Sequence, residues 1–303
     1  MAGVITTGNH PKALWPGMRA FWGRQYSEHP QEWSQIFDAE SSEKAYEEDA
    51  EVTGFGLAPV KTQGGSVSYD SETQGPTKRY THVTYALGYI VTRDEQDDNL
   101  YEVVSKRHIK ALAFSIRQTE EIVAANVLNR AFNSSYTGGD AKELCATDHP
   151  TVDGTQSNEL ATAADLSEAS LEDLIIQIME AKNSRGLRIS LMPKKLIVPP
   201  ALAFDAERII NSTLQSGTAN NDTNAVKSMG LIKGGAVINH YLTDSDAWFL
   251  QTNAPNGLMR FNRRATEFRQ DNDFDTENAK AKASVRFSVG WTDFRGVYGT
   301  PGA

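Results

Sequence analysis

Cys145 and His149 stand four residues apart in CATDHP, and Asp148 adjoins His149. A thiolate and an imidazole at that spacing could hold a metal ion. A carboxylate beside an imidazole could assist hydrolysis. Zinc sites, however, recruit three or four protein ligands at recurrent spacings, and no second pair follows. Cysteine–histidine catalysis depends on geometry in the fold, not on adjacency in the chain. His108 falls among Lys106, Arg107 and Lys110, where a surface or packing role is expected. Gly64-Gly65, Gly138-Gly139 and Gly234-Gly235 match neither the dinucleotide nor the P-loop spacing. Asp271, Asp273 and Asp275 in DNDFD resemble the start of a calcium loop, but its later glycine and closing glutamate are missing. Lys194-Lys195 and Arg263-Arg264 are too few basic doublets for a nucleic-acid footprint. The sequence thus assigns no catalytic, cofactor-binding or metal-ligating residue, and no cofactor.

Composition narrows the classes further. The chain has 303 residues, a formal net charge of −9 and 39% hydrophobic residues, with a mean hydropathy of −0.46. That length allows one large or two modest domains. The acidic balance argues against a protein whose purpose is to grip nucleic acid. The modest apolar content means that part of the chain is extended and solvated or is buried only when partners arrive. Cys145 is the only cysteine, so no internal disulfide can form. No signal peptide and no run of about 18 apolar residues is present, so a cytoplasmic protein without a membrane span is expected.

The elements that would position any site begin with a stretch free of Pro and Gly, Asp97 to Phe132. Leu100, Val103, Val104, Ile109, Leu112, Ile116, Val123, Val127 and Leu128 recur at three-and-four spacing, which predicts one long helix. At about 1.5 Å per residue it would run roughly 54 Å, a spine rather than the centre of a round core. Lys106, Arg107, Lys110, Arg117, Glu120 and Glu121 are expected on its wet face.

Ahead of the spine, residues 1 to about 30 read as an aromatic arm bearing Trp15, Phe21, Trp22 and Tyr26. It could dock on its own domain or reach a neighbour. A short helix with Trp33, Ile36 and Phe37 on one face follows. Glu40 to Glu51, with six carboxylates and one lysine, reads as a solvated face. Between Thr53 and Thr92, VSYD and the alternating run Val83, Tyr85, Leu87, Tyr89, Val91 predict two arms of a long hairpin around a Gly/Pro-rich tip. Such a hairpin is marginal alone and should lie on something else, such as another copy.

After the spine, Ser170 with Asp173 reads as a capping box opening a helix that Gly186 stops. A buried strand at Leu196-Ile197-Val198 follows, then a helix opened by Pro200. Ser216 to Gly230 reads as a mobile loop, with strands at Ala236 to Leu242 and Ala247 to Thr252. Together they make an α+β module. Ala281, Ala283, Val285, Phe287, Val289 and Trp291 alternate with polar residues, predicting a long last strand against the spine.

Several short motifs come in a fixed order: Thr53-Gly54-Phe55-Gly56, Tyr85-Ala86-Leu87-Gly88-Tyr89, Thr147-Asp148-His149-Pro150 with Gly154, and Leu196-Ile197-Val198-Pro199-Pro200. Leu242-Thr243-Asp244 with Trp248-Phe249-Leu250 and then Asp293-Phe294-Arg295-Gly296-Val297-Tyr298-Gly299 complete the set. In this order the sequence resembles the major capsid proteins of tailed bacteriophages, the Hong Kong 97-like α+β fold, and within them the Mu-type major head subunits. The resemblance implies an N-terminal arm (1–50), an extended hairpin loop (51–96), a spine helix of a peripheral domain (97–139), an axial domain (140–260) and return strands (261–303). It implies a non-enzymatic subunit of a virion, assembled in the bacterial cytoplasm as pentamers and hexamers around double-stranded DNA touched non-specifically. A separate scaffolding protein, a portal protein and a decoration protein are the implied partners. Some relatives cross-link a hairpin lysine. Lys61 and Lys78 are candidates by location alone, and that chemistry is not carried over. An encapsulin-like cargo shell is the alternative within the fold, and a hydrolase using Asp148 and His149 the alternative outside it.

Overall fold

The computed structural model describes residues 15–94, 101–215, 222–273 and 277–303. The spine is present as a helix, α2, over Tyr101–Asn129, after a shorter helix, α1, over Trp15–Glu28. The predicted first turn, from Asp97, lies outside the described residues. Ile109, Leu112, Ala113 and Ile116 of α2 are buried against the sheet, as their spacing requires.

That sheet has the order β1-β10-β11-β4. It comprises β1 (Asp38–Ser41), β4 (Val83–Val91), β10 (Leu258–Asn272) and β11 (Ala279–Trp291). The alternation in β11 buries Ala281, Ala283, Val285 and Phe287 under the spine, as expected. The other long strand, β10, has no clean alternation in the sequence. Two register irregularities between Asn262 and Glu267 break its period where Arg263 and Arg264 sit.

The described part of the arm docks on its own chain: Phe21, Trp22 and Tyr26 join the core under α2, with Trp22 stacked on Phe268 at 5.0 Å. Its cover corrects the expectation for the spine's polar face, because Arg117, Glu120 and Glu121 are buried. Their charges are met within the chain. Arg260 donates to Glu120 at 2.7 Å, and Tyr26 also donates to Glu120. Arg117 stacks on the Tyr26 ring at 3.8 Å. Glu121 accepts the backbone N–H groups of Glu32 and Trp33 at 3.1 and 2.9 Å, which anchors the short helical turn Trp33–Gln35. Burial pushes the Glu121 carboxyl up to about 7.

A second sheet, ordered β12-β9-β7-β8, consists of β7 (Pro193–Val198), β8 (Ala236–Ile238), β9 (Trp248–Thr252) and β12 (Val297–Thr300). The helices α3 (Glu168–Met179) and α4 (Ala203–Asn211) pack on it through Leu171, Leu174, Ile178, Ala206 and Ile210. The start of α3 lies three residues earlier than Ser170 and Asp173 suggest. Ser167 is its cap and Ser170 the reciprocal partner, because a serine hydroxyl can replace the acidic side chain of the motif. The helix ends at Met179, and Gly186, at φ +80°, turns a later loop instead. Part of the expected loop at 216–230 is a helix, α5 (Ala225–Met229), capped by Asn224 and stopped by left-handed Gly230; residues 216–221 lie outside the described residues. A core of Trp33, Phe37, Leu128, Leu144, Ile197, Phe249 and Trp291 welds this sheet to the end of the spine.

Candidate functional site

The hairpin is made differently from the sequence expectation. Its arms are β2 (Tyr46–Val52) and β3 (Gln74–Thr81), paired antiparallel. VSYD forms no strand, and Val83 to Val91 leaves the hairpin to pair with β11. The physical reason is cover: Tyr85 and Tyr89 of β4 gain the core under the spine, which no hairpin partner offers. The carboxylates of 40–51 lie on β1, β2 and the link between them, and none is buried, as expected of a solvated face.

His82, the one residue between β3 and β4, marks where the hairpin departs. It is buried, with Nε2 3.0 Å from Ser42 Oγ and Nδ1 3.0 Å from Ser288 Oγ. Ser42 donates its own proton to Glu47 at 2.7 Å, so its oxygen accepts from His82 and Nε2 carries the proton. Nδ1 then accepts from Ser288. One imidazole thus ties β11 to the segment between β1 and β2. Burial, chiefly, holds its pKa down, with Arg286 adding to the effect.

The root of the tip loop, at the outer end of the β2-β3 ladder, is clamped by Arg295. Its guanidinium donates to Glu51 at 3.1 Å, Asp293 at 3.2 Å, Ser184 at 3.3 Å, Gln156 at 3.3 Å and the Lys182 carbonyl at 2.8 Å. Ser184 also donates to Glu51. Gly139 lets the second module approach closely, since a Cβ there would stand 2.8 Å from the Thr77 carbonyl oxygen. At the same end of the ladder, next to Glu51, Thr53 N–H donates to the Thr73 carbonyl at 3.1 Å and Thr73 N–H to Thr53 Oγ1 at 3.0 Å.

Beyond that staple, residues 54–73 form a loop without strands. Asp70 accepts Gly56 N–H at 2.8 Å and pairs with Arg185 at 2.9 Å. The backbone N–H groups, with Arg185 behind them, hold its carboxyl below the usual range. The loop's apolar side chains face water: Phe55 is 60% exposed, Leu57 81%, Val60 96% and Tyr69 92%. Burying one such side chain is worth about 1.5–3 kcal/mol. The loop is thus held by Asp70 and Arg185 yet rimmed with uncovered apolar groups, the pattern of a contact surface.

The residues singled out for chemistry are placed elsewhere. His149 is fully buried, stacked on Phe294 at 3.9 Å, with Nδ1 2.6 Å from Asp140 and Nε2 3.0 Å from Asn158. Both ring nitrogens are occupied, and Asn158 spends its amide N–H groups on three carbonyls. Asp148 faces solvent and pairs with Lys142 at 2.5 Å. Cys145 is buried in the core that welds the second sheet to the spine, and burial pushes its thiol up. His108 packs 5.3 Å from the Tyr89 ring, the packing role expected. Lys61 is exposed in the loop, whereas Lys78 lies 4.9 Å from the Trp291 ring and donates to the Thr137 carbonyl at 2.8 Å. Lys195 donates to the Gln35 carbonyl. Asp273 pairs with Lys280 at 2.5 Å, and Asp275 lies outside the described residues. Sequence reading missed Arg295, Glu51 and His82 as positioning residues, though Arg295 lies inside one of the quoted motifs.

Residues 75–300 match the family described as phage capsid protein. No curated protein matches the chain. Among solved structures, the fold is similar to a capsid of a native GTA particle at TM-score 0.57, with 12% identity over 89% of this chain and 90% of that one. It is similar to a capsid structure of the cyanophage P-SCSP1u at 0.56, with 8% identity over 89% and 88%. It is also similar to a structure from Mycobacterium phage Patience at 0.54, with 13% identity over 99% and 92%. The architecture is the Hong Kong 97-like capsid fold.

Proposed function

The chain belongs to the phage capsid protein family, and from that premise we propose that it closes into an icosahedral shell as pentamers and hexamers of itself. As a major capsid protein it is a structural subunit, and we assign it no catalytic step. The observation that carries the assembly reading is the hairpin's tip loop: clamped at its root by Arg295 and exposing Phe55, Leu57, Val60 and Tyr69. A rigid arm with an uncovered apolar end gains free energy only when another surface receives it, and a neighbouring subunit is always present in a shell.

In this reading residues 140–260 form the axial domain, and the spine with its sheet the peripheral one. Pairing within each subunit leaves the apolar tip as the seam. The shell surrounds double-stranded DNA touched without sequence preference, and a scaffolding protein, a portal protein and a decoration protein are its partners during assembly in the host cytoplasm. His149 acts as a buried strut beneath Phe294, which supports a non-enzymatic role. Negative-stain microscopy of the expressed chain tests the proposal: closed, regular shells are expected. A monodisperse monomer at every concentration would refute it, and shells loaded with an enzyme instead of DNA would favour a cargo compartment.

A further inference from the structure

The solvent face of the four-stranded sheet carries charges that the fold leaves unused. Since β11 turns Ala281, Ala283, Val285 and Phe287 toward the spine, Lys282, Ser284 and Arg286 project from the opposite face. On that face Arg286 lies directly opposite Arg264, and Lys282 opposite Arg269. The bulge leaves Arg263 as the extra residue beside them. Like charges directly opposite one another destabilise an antiparallel pair.

Partners within the chain relieve this only in part. Arg269 has Glu267 at 2.9 Å. Arg263 donates to the Lys44 carbonyl at 3.0 Å, and Arg264 reaches the Ser284 hydroxyl at 3.4 Å. Among the described residues, Arg263, Arg264, Lys282 and Arg286 have no carboxylate within ion-pair distance. Arg286 Nε is buried without a partner. The neighbouring strand keeps the row open: Thr84, Ala86 and Gly88 lie opposite Arg286, Ser284 and Lys282. A Cβ on Gly88 would stand 2.7 Å from the Ala281 carbonyl oxygen. Beyond burial, Arg286 and Arg263 lower the pKa of His82 beside the row, while Glu47 raises it.

We propose that this cationic sheet face receives carboxylates from a second copy of the chain. Charge complementarity favours that occupant, because each copy carries 39 acidic against 30 basic residues. The face also interleaves Glu267 and Asp271 with its cations, opposite Ser284 and Lys280. That interruption of the cationic row suits discrete carboxylates better than an unbroken phosphate backbone. The inference rests on self-assembly and adds which face is read and by what chemistry.

The test compares the full-length chain with the double variant Arg264→Gln, Arg286→Gln, following thermal unfolding of dispersed subunits and shell formation from about 0.05 to 0.5 M salt. The two readouts should move in opposite directions. The variant subunit unfolds at an equal or higher temperature because the facing like charges are gone. Its shells require about tenfold more subunit to form at low salt, and the salt dependence flattens. Normal assembly with an unchanged salt profile overturns this inference alone. Normal assembly with loss of retained nucleic acid overturns it in favour of a phosphate site. Failure of the unaltered chain to assemble overturns the shell reading and this inference with it.

Discussion

At the root of the hairpin's tip loop Arg295 is 2% exposed and donates to five acceptors. At the tip Val60 is 96% exposed and Leu57 81%. The two ends lie on one continuous loop yet follow opposite rules. Polar groups at the root are buried and satisfied inside the subunit, so they fix where the hairpin points. Apolar groups at the tip are unsatisfied, so they supply free energy only on contact. Aim and affinity are thereby separated, and substitutions should damage one without the other.

The largest effect is expected at the root. Replacing Arg295 by Met leaves Glu51 and Asp293 facing each other without a cation, at a cost of about 3–5 kcal/mol. Thermal or urea unfolding of the subunit measures it directly. The spine's buried carboxylate comes next. Glu121 stands near 7 when folded against an ordinary 4.5. A raised pKa means that its contribution is present below the unfolded value and lost as pH rises through the folded one. Between about pH 5 and pH 8 that loss is on the order of 3 kcal/mol. The unfolding midpoint should therefore fall across that window, and Glu121→Gln should flatten the slope. At the departure point Ser288→Ala removes one His82 partner, costing about 1 kcal/mol and loosening exchange at the hairpin base. The smallest effect on folding belongs to the tip: Leu57→Asp with Val60→Asp should shift subunit stability by no more than about 0.5 kcal/mol while preventing shell formation. A tip variant that unfolds the subunit, or a root variant that does not, would break the separation.

What could be read from the chain followed from periodicity. The spine and β11 carry long, regular apolar spacing, and both are present. Motif order led to the capsid resemblance with little help from any single residue. β10 was hidden because bulges at Arg263 and Arg264 interrupt its alternation. The hairpin's partner was misread because β4 alternates equally well in either pairing, and only the three-dimensional cover over Tyr85 and Tyr89 decides between them. Arg117, Glu120 and Glu121 looked solvated because nothing in their spacing reveals that α1 and the Trp33 turn lie over them. The clamp at Arg295 joins residues 244 positions apart, a distance over which sequence pattern carries no signal.

Hydrogen exchange across residues 54–73, followed in dispersed subunits and in assembled shells, tests the central claim most directly. Amides of the tip loop should exchange within seconds in the dispersed subunit, while those of β2 and β3 beside the Arg295 clamp stay protected. In the shell the tip should slow by at least about tenfold. A tip already protected before assembly, or one equally fast in the finished shell, would contradict it.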